Sequence, residues 1–388
     1  MKVLEVNSKS TRKEFIELPV RLYKEEKNWI RPLDKDIDAV FDPEQNKTFR
    51  HGECIRWILQ NENGQTVGRV AAFINKRTSG KNDQPTGGMG FFECINDKKT
   101  AFKLFDTCRE WLKERNMEAM DGPINFGERD KWWGLLAEGF HEPNYCMPYN
   151  FNYYQEFFEE YGFKVYFKQF TYRRVMGPEL DFEPKLYHRA QSILKDPDYV
   201  FRNLTKKEAD KAPEYFRSVY NQAWGKHGGV KEINSIQAKN IFNQLKPIID
   251  WRLIRFGFYK GDPVAFFIMI PEINQIFRHL GGKLDLLGKI KFLYYKLTGA
   301  CKKALGLVFG VVPEHQGKGV DAAMIINFTD IAWKKGFDYE DLEMNWIGDF
   351  NPKMMRVTEQ IGSTIYKTHH TYRFLFDRNK EFKRMPII

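Results

Sequence analysis

Apolar and polar positions fall into short runs along this chain, and the runs come twice in the same order. In the first half, residues 3–6 read as a strand, and 55–59 turn through 61–64 into 67–74 as a hairpin. Helical spacing follows at 99–116 and 153–161, with strands at 119–122 and 164–174. In the second half, a strand at 199–203 precedes a hairpin of 251–259 and 264–270. Then come a helix at 320–335, a strand at 339–347, a helix at 352–360 and a strand at 364–375. Thr11 with Glu14 and Thr205 with Glu208 have the spacing of capping boxes, in which hydroxyl and carboxylate satisfy free amides of a helix's first turn. Each half therefore predicts an α/β unit, a mixed sheet with helices on both sides.

The two halves share more than a pattern. Gly162, Tyr166, Thr171, Tyr172 and Arg173 recur as Gly362, Tyr366, Thr371, Tyr372 and Arg373 at a constant offset of 200. Chance predicts about one identity in such a window at average composition. The expected division is 1–175 and 196–388, joined by a linker at 176–195 that contains Gly177, Pro178 and Pro184. The second half has an extra segment at 274–297, apolar at Leu284, Leu287, Ile290 and Leu293. That spacing suits an amphipathic helix laid on the body, or a lid over a pocket.

Composition narrows the setting. Net charge is +10, but Lys and Arg are interspersed with Asp and Glu, which describes a solvated surface and gives no nucleic-acid signature. Aromatics make up 15% of the chain, enough for aromatic cores or an apolar pocket. The five cysteines show no metal or redox spacing, and with no apolar leader the expectation is a cytoplasmic protein. The longest apolar run, 264–270, is too short to span a membrane. The histidines and serines form no metal or nucleophile motif, so no metal is expected.

One stretch carries chemistry. An apolar strand, 305–312, runs through Pro313-Glu314-His315-Gln316 into Gly317-Lys318-Gly319-Val320 and a helix. Glycines let main-chain amides approach an anion, and the helix start adds its positive dipole end, so a diphosphate is the natural guest. A Walker loop fails because Gly319, not Ser or Thr, follows Lys318. Gly317, Gly319 and Ala322 satisfy a dinucleotide fingerprint, but four residues separate strand from glycine and no further βα units follow. A plain strand-to-helix turn also remains open.

The stretch resembles the acyl-CoA loop of the GNAT (N-acetyltransferase) superfamily, through Val311-Val312-Pro313 and Gln316-Gly317-Lys318-Gly319-Val320, with Asp321 where that pattern has a small residue. Asn351 through Gly362 is similar to the family's next helix, with Thr358 where the family often has a tyrosine acid. The first half resembles the same fold without the loop, since Glu93 and Asp97 stand where glycines belong. Asp121-Gly122-Pro123 and Trp133-Gly134-Leu135 further resemble a bacterial group of tandem GNAT-like proteins.

The resemblance implies two tandem GNAT-type folds and transfer of an acyl group, acetyl first among candidates, from acyl-CoA to an amine or hydroxyl of a small molecule or peptide. It implies that Val311 and Val312 polarise the thioester, that Gln316, Gly317, Lys318, Gly319 and Val320 hold the pyrophosphate, and that Asn351 meets the cofactor arm. Glu343 is the expected base. Trp132 and Tyr149, in the long connection after residue 122, are expected to wall an acceptor cleft between the halves. Two other readings stay open: a non-catalytic CoA- or partner-binding module, and a transferase fed by aminoacyl-tRNA.

Overall fold

The structure, a computed structural model, describes residues 1–81, 84–177, 182–224 and 232–387. The first half contributes β1 (Lys2–Glu5), β2 (Gly52–Gln60), β3 (Thr66–Asn75), β4 (Thr86–Cys94), β5 (Ala119–Gly122), β6 (Leu135–Glu138) and β7 (Lys164–Val175). The second contributes β8 (Tyr199–Asn203), β9 (Ile254–Tyr259), β10 (Asp262–Pro271), β11 (Lys303–Val311), β12 (Asp341–Gly348) and β13 (Thr364–Leu375). Helices α1 (Lys9–Leu22), α2 (Asp34–Val40), α3 (Lys98–Lys113) and α4 (Tyr153–Tyr161) belong to the first half. Helices α5 (Pro184–Lys195), α6 (Ala212–Trp224), α7 (Ser235–Leu245), α8 (Asn274–Phe277), α9 (Leu286–Leu297), α10 (Val320–Ala332) and α11 (Pro352–Gln360) follow.

All these strands join one mixed sheet in the order β1-β2-β3-β4-β5-β13-β7-β12-β11-β10-β9-β8, with β6 on β13. Each half repeats one scheme: three antiparallel pairings, then one parallel pairing, β4 with β5 and β11 with β12. The last strands are exchanged. β13 pairs with β5 of the first half, β7 pairs with β12 of the second, and the two pair with each other at the centre. The repeat in the sequence is thus a repeat in the structure, but each sheet half is completed by the other half's terminal strand.

Several local expectations shift. Helix α1 starts at Lys9, because Ser8 caps it in a reciprocal box with Thr11, not Thr11 with Glu14. The Thr205–Glu208 box closes a single 3-10 turn ahead of α6. Within the expected linker, Pro184 opens α5, whose Leu186, Ala190 and Ile193 are buried with Val320 and Ala323 of α10; Pro178 lies outside the described residues. Proline suits a helix's first turn, where its missing N–H has no partner to lose.

The halves differ inside. Between α3, α4 and the sheet of the first half, Phe92, Phe105 and Phe158 pack with ring centroids 4.8–5.4 Å apart. These rings fill the space between α3, α4 and the sheet. The corresponding space in the second half is hollow.

Candidate active site

The hollow begins where β11 and β12 part. Their parallel pairing ends at Gly306 and Met344, although both strands run on, to Val311 and Gly348. Main-chain groups of β11 beyond Gly306 thereby lose their partner strand on the β12 side, an unpaired edge that a ligand's amides can use. A chamber of about 450 Å³ fills the opening. Leu307, Phe309, Phe328, Met344, Ile347 and Met354 give it an apolar wall, and Asn345 and Asn351 bring amides to it.

In the first half the matching parting, of β4 and β5, holds only a smaller cavity of about 90 Å³, lined there by Phe91, Phe92, Glu93 and Pro123. Strands β4 and β5 part after Gly88 and Asp121. There Gly90 lies so close to the Ile124 carbonyl that a Cβ would stand 1.8 Å from it. Asp97 caps α3 by accepting from Thr100 N at 2.8 Å, which occupies the helix start that an anion would need. Glu93 is buried, accepting from the hydroxyls of Tyr23 (2.6 Å) and Tyr154 (3.0 Å) and facing Arg69.

At the far end of β11 the glycine loop is held from within. The Gln316 amide donates to the Val311 carbonyl (2.8 Å), and the His315 ring meets the Tyr199 hydroxyl. Val312 N donates to Val264 O at 2.9 Å, so this amide, expected to polarise a thioester, is already engaged. Gly317 takes φ +72° with open space around it, and Lys318 is exposed. Gly319, at φ +94°, faces α5 instead: a Cβ would stand 1.9 Å from the Arg189 carbonyl. Its lack of a side chain serves helix packing as well as turn geometry. Val320 is buried as the first residue of α10. The Asp321 carboxylate is paired with Arg189, which also donates to Gln360, so its charge is compensated beside the loop.

Asn351 caps α11, accepting from Met354 N at 3.2 Å, and lines the chamber at once. Thr358 is buried and donates its hydroxyl to the Met355 carbonyl at 2.7 Å.

Glu343 sits one residue before the strands part, fully buried. Lys367 Nζ lies 2.8 Å from its carboxylate, Lys303 pairs with it as well, and Asn144 donates to it at 2.8 Å. Burial pushes its pKa up, but Lys367 and Lys303 outweigh that and hold it below the ordinary value. A carboxylate stabilised by two ammonium groups is a poor proton acceptor near neutrality, which disfavours the base role expected of Glu343. Asn144 also donates to Asn345 at 2.9 Å, which links this cluster to the chamber.

A second carboxylate nearby had no sequence signal. Glu272 follows β10 and is buried; its Oε1 accepts from Tyr145 N (3.0 Å) and Asn274 N (2.9 Å), and its Oε2 has no hydrogen-bond partner. Burial drives its pKa up to about 7. Its own N–H donates to the Lys303 carbonyl at 2.8 Å, three residues from Gly306 and so about 10 Å along β11 from the parting point.

Trp132 and Tyr149 do share a cavity, about 90 Å³ in volume, with Trp29, Arg31, Arg69 and Glu93. All its lining residues lie between 16 and 150, so it is a first-half cavity and not one between the halves. Trp132 packs on Phe91, and the Tyr149 hydroxyl donates to Glu26 at 3.0 Å. Among the described residues no cluster of metal-ligating side chains occurs, and no helix is long and apolar enough to cross a membrane.

The architecture is shared with solved structures. A tandem GNAT protein from the clavulanic acid biosynthesis pathway aligns over 98% of this chain and 99% of its own, with a TM-score of 0.53 at 10% identity. The fold is that of the GCN5-related N-acetyltransferases. The GNAT region of a fungal multi-domain GH3 β-N-acetylglucosaminidase aligns over 96% of this chain with the same TM-score and identity; the chain spans 38% of that protein's length. No family model matches the chain. Among curated proteins it is similar to the bacterial ceramide synthase of Caulobacter vibrioides, 27% identical over 390 residues, covering 96% of this chain and 97% of the relative. Protein YghO of Escherichia coli is 25% identical over 370 residues, covering 94% and 93%. In this GNAT fold the glycine loop belongs to the second half, and the chamber is lined mostly by that half, with Arg129 and Arg174 contributed by the first.

Proposed function

We propose that this protein is an acyl-CoA-dependent N-acyltransferase whose acyl group is a long apolar chain. The reading rests on one observation above all: β11 and β12 part after Gly306 and Met344 around an apolar chamber, with the glycine loop at the open end. The pantetheine arm of CoA carries amides that suit the unpaired edge of β11 between Leu307 and Phe309. Its pyrophosphate suits the amides of Gly317 and Lys318 and the start of α10 at Val320, with the Lys318 ammonium alongside. Gln316 and Gly319 shape that loop, through the Val311 carbonyl and the α5 backbone. Asn351 stands at the chamber wall to meet the arm. The first half keeps the architecture and supplies β7.

The chamber extends between α10, α11 and Phe182, where its walls are mostly apolar, with Arg174 over the Phe182 ring. An acetyl group would leave most of that surface unused, whereas a fatty acyl chain gains about 0.8 kcal/mol for each methylene it buries there. The relative from Caulobacter is named a ceramide synthase, and a ceramide is an amide of a fatty acid with a long-chain amine. In the reaction the acceptor nitrogen attacks the thioester carbonyl and the C–S bond breaks. The sulfur leaves with the electron pair and is protonated, and the nitrogen gives its proton to a base. Glu343, held ionised by Lys367 and Lys303, is assigned to hold those two lysines in place; burial raises the proton affinity of Glu272, which makes it the candidate base although it does not line the chamber.

Calorimetric titration with CoA and palmitoyl-CoA tests the reading. Lys318→Glu is exposed and should weaken both by about tenfold or more, as a charge reversal beside a pyrophosphate does. Binding of neither thioester nor CoA by the unmodified chain would end this proposal and favour a partner-binding module.

A further inference from the structure

The segment 274–297 has no counterpart of its length in the first half, where residues 76–85 join β3 to β4. The expectation of an amphipathic helix laid on the body by its apolar residues holds for Leu284, which packs on the cluster of Leu33, Ile273, Phe277 and Leu280, and fails for Leu287, Ile290 and Leu293. Helix α9 rests on the body through Gly288, Phe292 and Tyr295. Gly288 is buried, Phe292 lies 6.0 Å from the Phe277 ring, and Tyr295 stacks on His279 at 4.0 Å. The opposite face carries Leu286 (74% exposed), Leu287 (69%), Ile290 (58%), Leu293 (55%), Tyr294 (61%) and Leu297 (77%). At about 100° per residue these six fall in one arc of about 120°. Nor does the helix cover the chamber, whose helical walls are α10 and α11.

The charges are placed to match. On the same wheel Lys289 and Lys296 flank one edge of the arc and Lys291 the other. Residues 283–302 contain five lysines and a single acid, Asp285, which is occupied in capping α9 by accepting from Gly288 N at 2.9 Å. Lys296 donates its ammonium to the Pro247 carbonyl, which leaves Lys289 and Lys291 as the flanking charges; an apolar arc bordered by ammonium groups is the arrangement of a helix that lies in a membrane interface, its apolar side chains among the acyl chains and its lysines at the headgroups. A protein partner would need a groove to receive the arc; a bilayer needs only this geometry, and anionic headgroups complement the lysines.

We infer that α9 docks the protein onto an anionic membrane surface, as a peripheral attachment that needs no spanning segment. This stands on α9 alone and is independent of the acyl-transfer reading.

Flotation of the full chain with vesicles tests it, using phosphatidylcholine alone and an equal mixture with phosphatidylglycerol. The expected result is flotation with the mixture, weak flotation with phosphatidylcholine, and release as salt is raised. Leu287→Glu with Leu293→Glu should cut binding to the mixture at least about tenfold at unchanged melting temperature, since both positions are exposed. Lys289→Gln with Lys291→Gln should cut it roughly fivefold per lysine, and this pair decides the matter should the glutamates prove destabilising. The inference is overturned if the unmodified chain stays with the unbound fraction, or if both double variants float as it does. It is equally overturned if the chain is a dimer that the glutamates dissociate and that never floats, which would make the arc an interface between copies.

Discussion

Arg173 holds Asp341 in a two-point ion pair, with Nε and Nη2 each 2.9 Å from a carboxylate oxygen, and Arg373 holds Asp121 in the same way at 2.6 and 2.8 Å. Each guanidinium also lies over a tyrosine of the other terminal strand: Arg173 over Tyr366 at 4.9 Å, Arg373 over Tyr166 at 3.6 Å. Arg173 belongs to the first half and Asp341 to the second, and the reverse holds for the other pair. The repeated Tyr and Arg of the sequence are therefore the fastening of the strand exchange, one fastening on each side of the central β7–β13 pairing.

The two fastenings differ in depth, and their energies should differ with it. The Arg373 side chain is 4% exposed and that of Arg173 34%. Arg373→Met leaves Asp121 buried without its two-point partner, only the weaker charge of Arg129 remaining near it, which costs about 3 kcal/mol. Arg173→Met should cost about 1 kcal/mol or less, because water screens that pair. Urea unfolding of the two variants measures the difference, and equal losses would contradict it.

Exchange also predicts how the chain can be cut. Residues 1–175 alone lack the partner strand for β5 and leave β7 without β12. Expressed alone, either piece should be insoluble or associate with itself. Co-expressed as 1–177 and 182–388, the pieces should co-purify as one complex. Two independently soluble monomers that ignore each other would show that each half can close on its own last strand.

The sequence made the elements legible, while their partners were not. The ranges found for β5, α4, α11 and β13 are those that periodicity and capping predict, because such signals are local. Which sheet half β7 and β13 complete depends on pairing across some 200 residues, and the same alternation serves either choice. The arc on α9 was visible as a period, yet a period does not say whether it turns inward. Asp321 looked misplaced beside a phosphate loop because its partner, Arg189, lies 132 positions away in what read as a linker. Glu272 carried no signal at all: its proton affinity comes from burial, and a lone Glu after a strand says nothing of depth.

That burial makes Glu272 a source of pH dependence. Its folded pKa, about 7, exceeds the ordinary carboxylate value of 4.5. Between those values the folded chain binds more protons than the unfolded one, so this group makes stability fall as pH rises from about 4.5 to 7, by about 3 kcal/mol at most. Glu272→Gln should remove that slope. Glu343, held below its ordinary value, acts in the opposite sense and loses its stabilising ion pairs as pH falls through its lowered pKa; that acid limb should survive in Glu272→Gln. If Glu272 also accepts the acceptor's proton, kcat/KM should rise with pH through about 7 in the parent chain, and the variant should lose activity as well as the inflection. Thermal melts and rates across this pH range separate the two effects.

The chamber supplies the last prediction. If an acyl chain lies along the inner wall of α10, affinity for acyl-CoAs should rise with chain length, about fourfold for each methylene that leaves water, until the chain outgrows the space. Ala332, on the last turn of α10, lines the chamber beside Phe328 and Trp333. Ala332→Phe puts a ring into the cavity at a helix position that is not fully buried, so the fold should tolerate it while the volume falls. The longest acyl-CoAs should then lose affinity by tenfold or more while acetyl-CoA and free CoA bind as before, and the preferred length should shorten. Competition binding over a series from acetyl- to stearoyl-CoA reads both shifts. Equal loss for all lengths would place the ring against the pantetheine arm instead, and no length dependence in the parent chain would assign the chamber to some other apolar ligand.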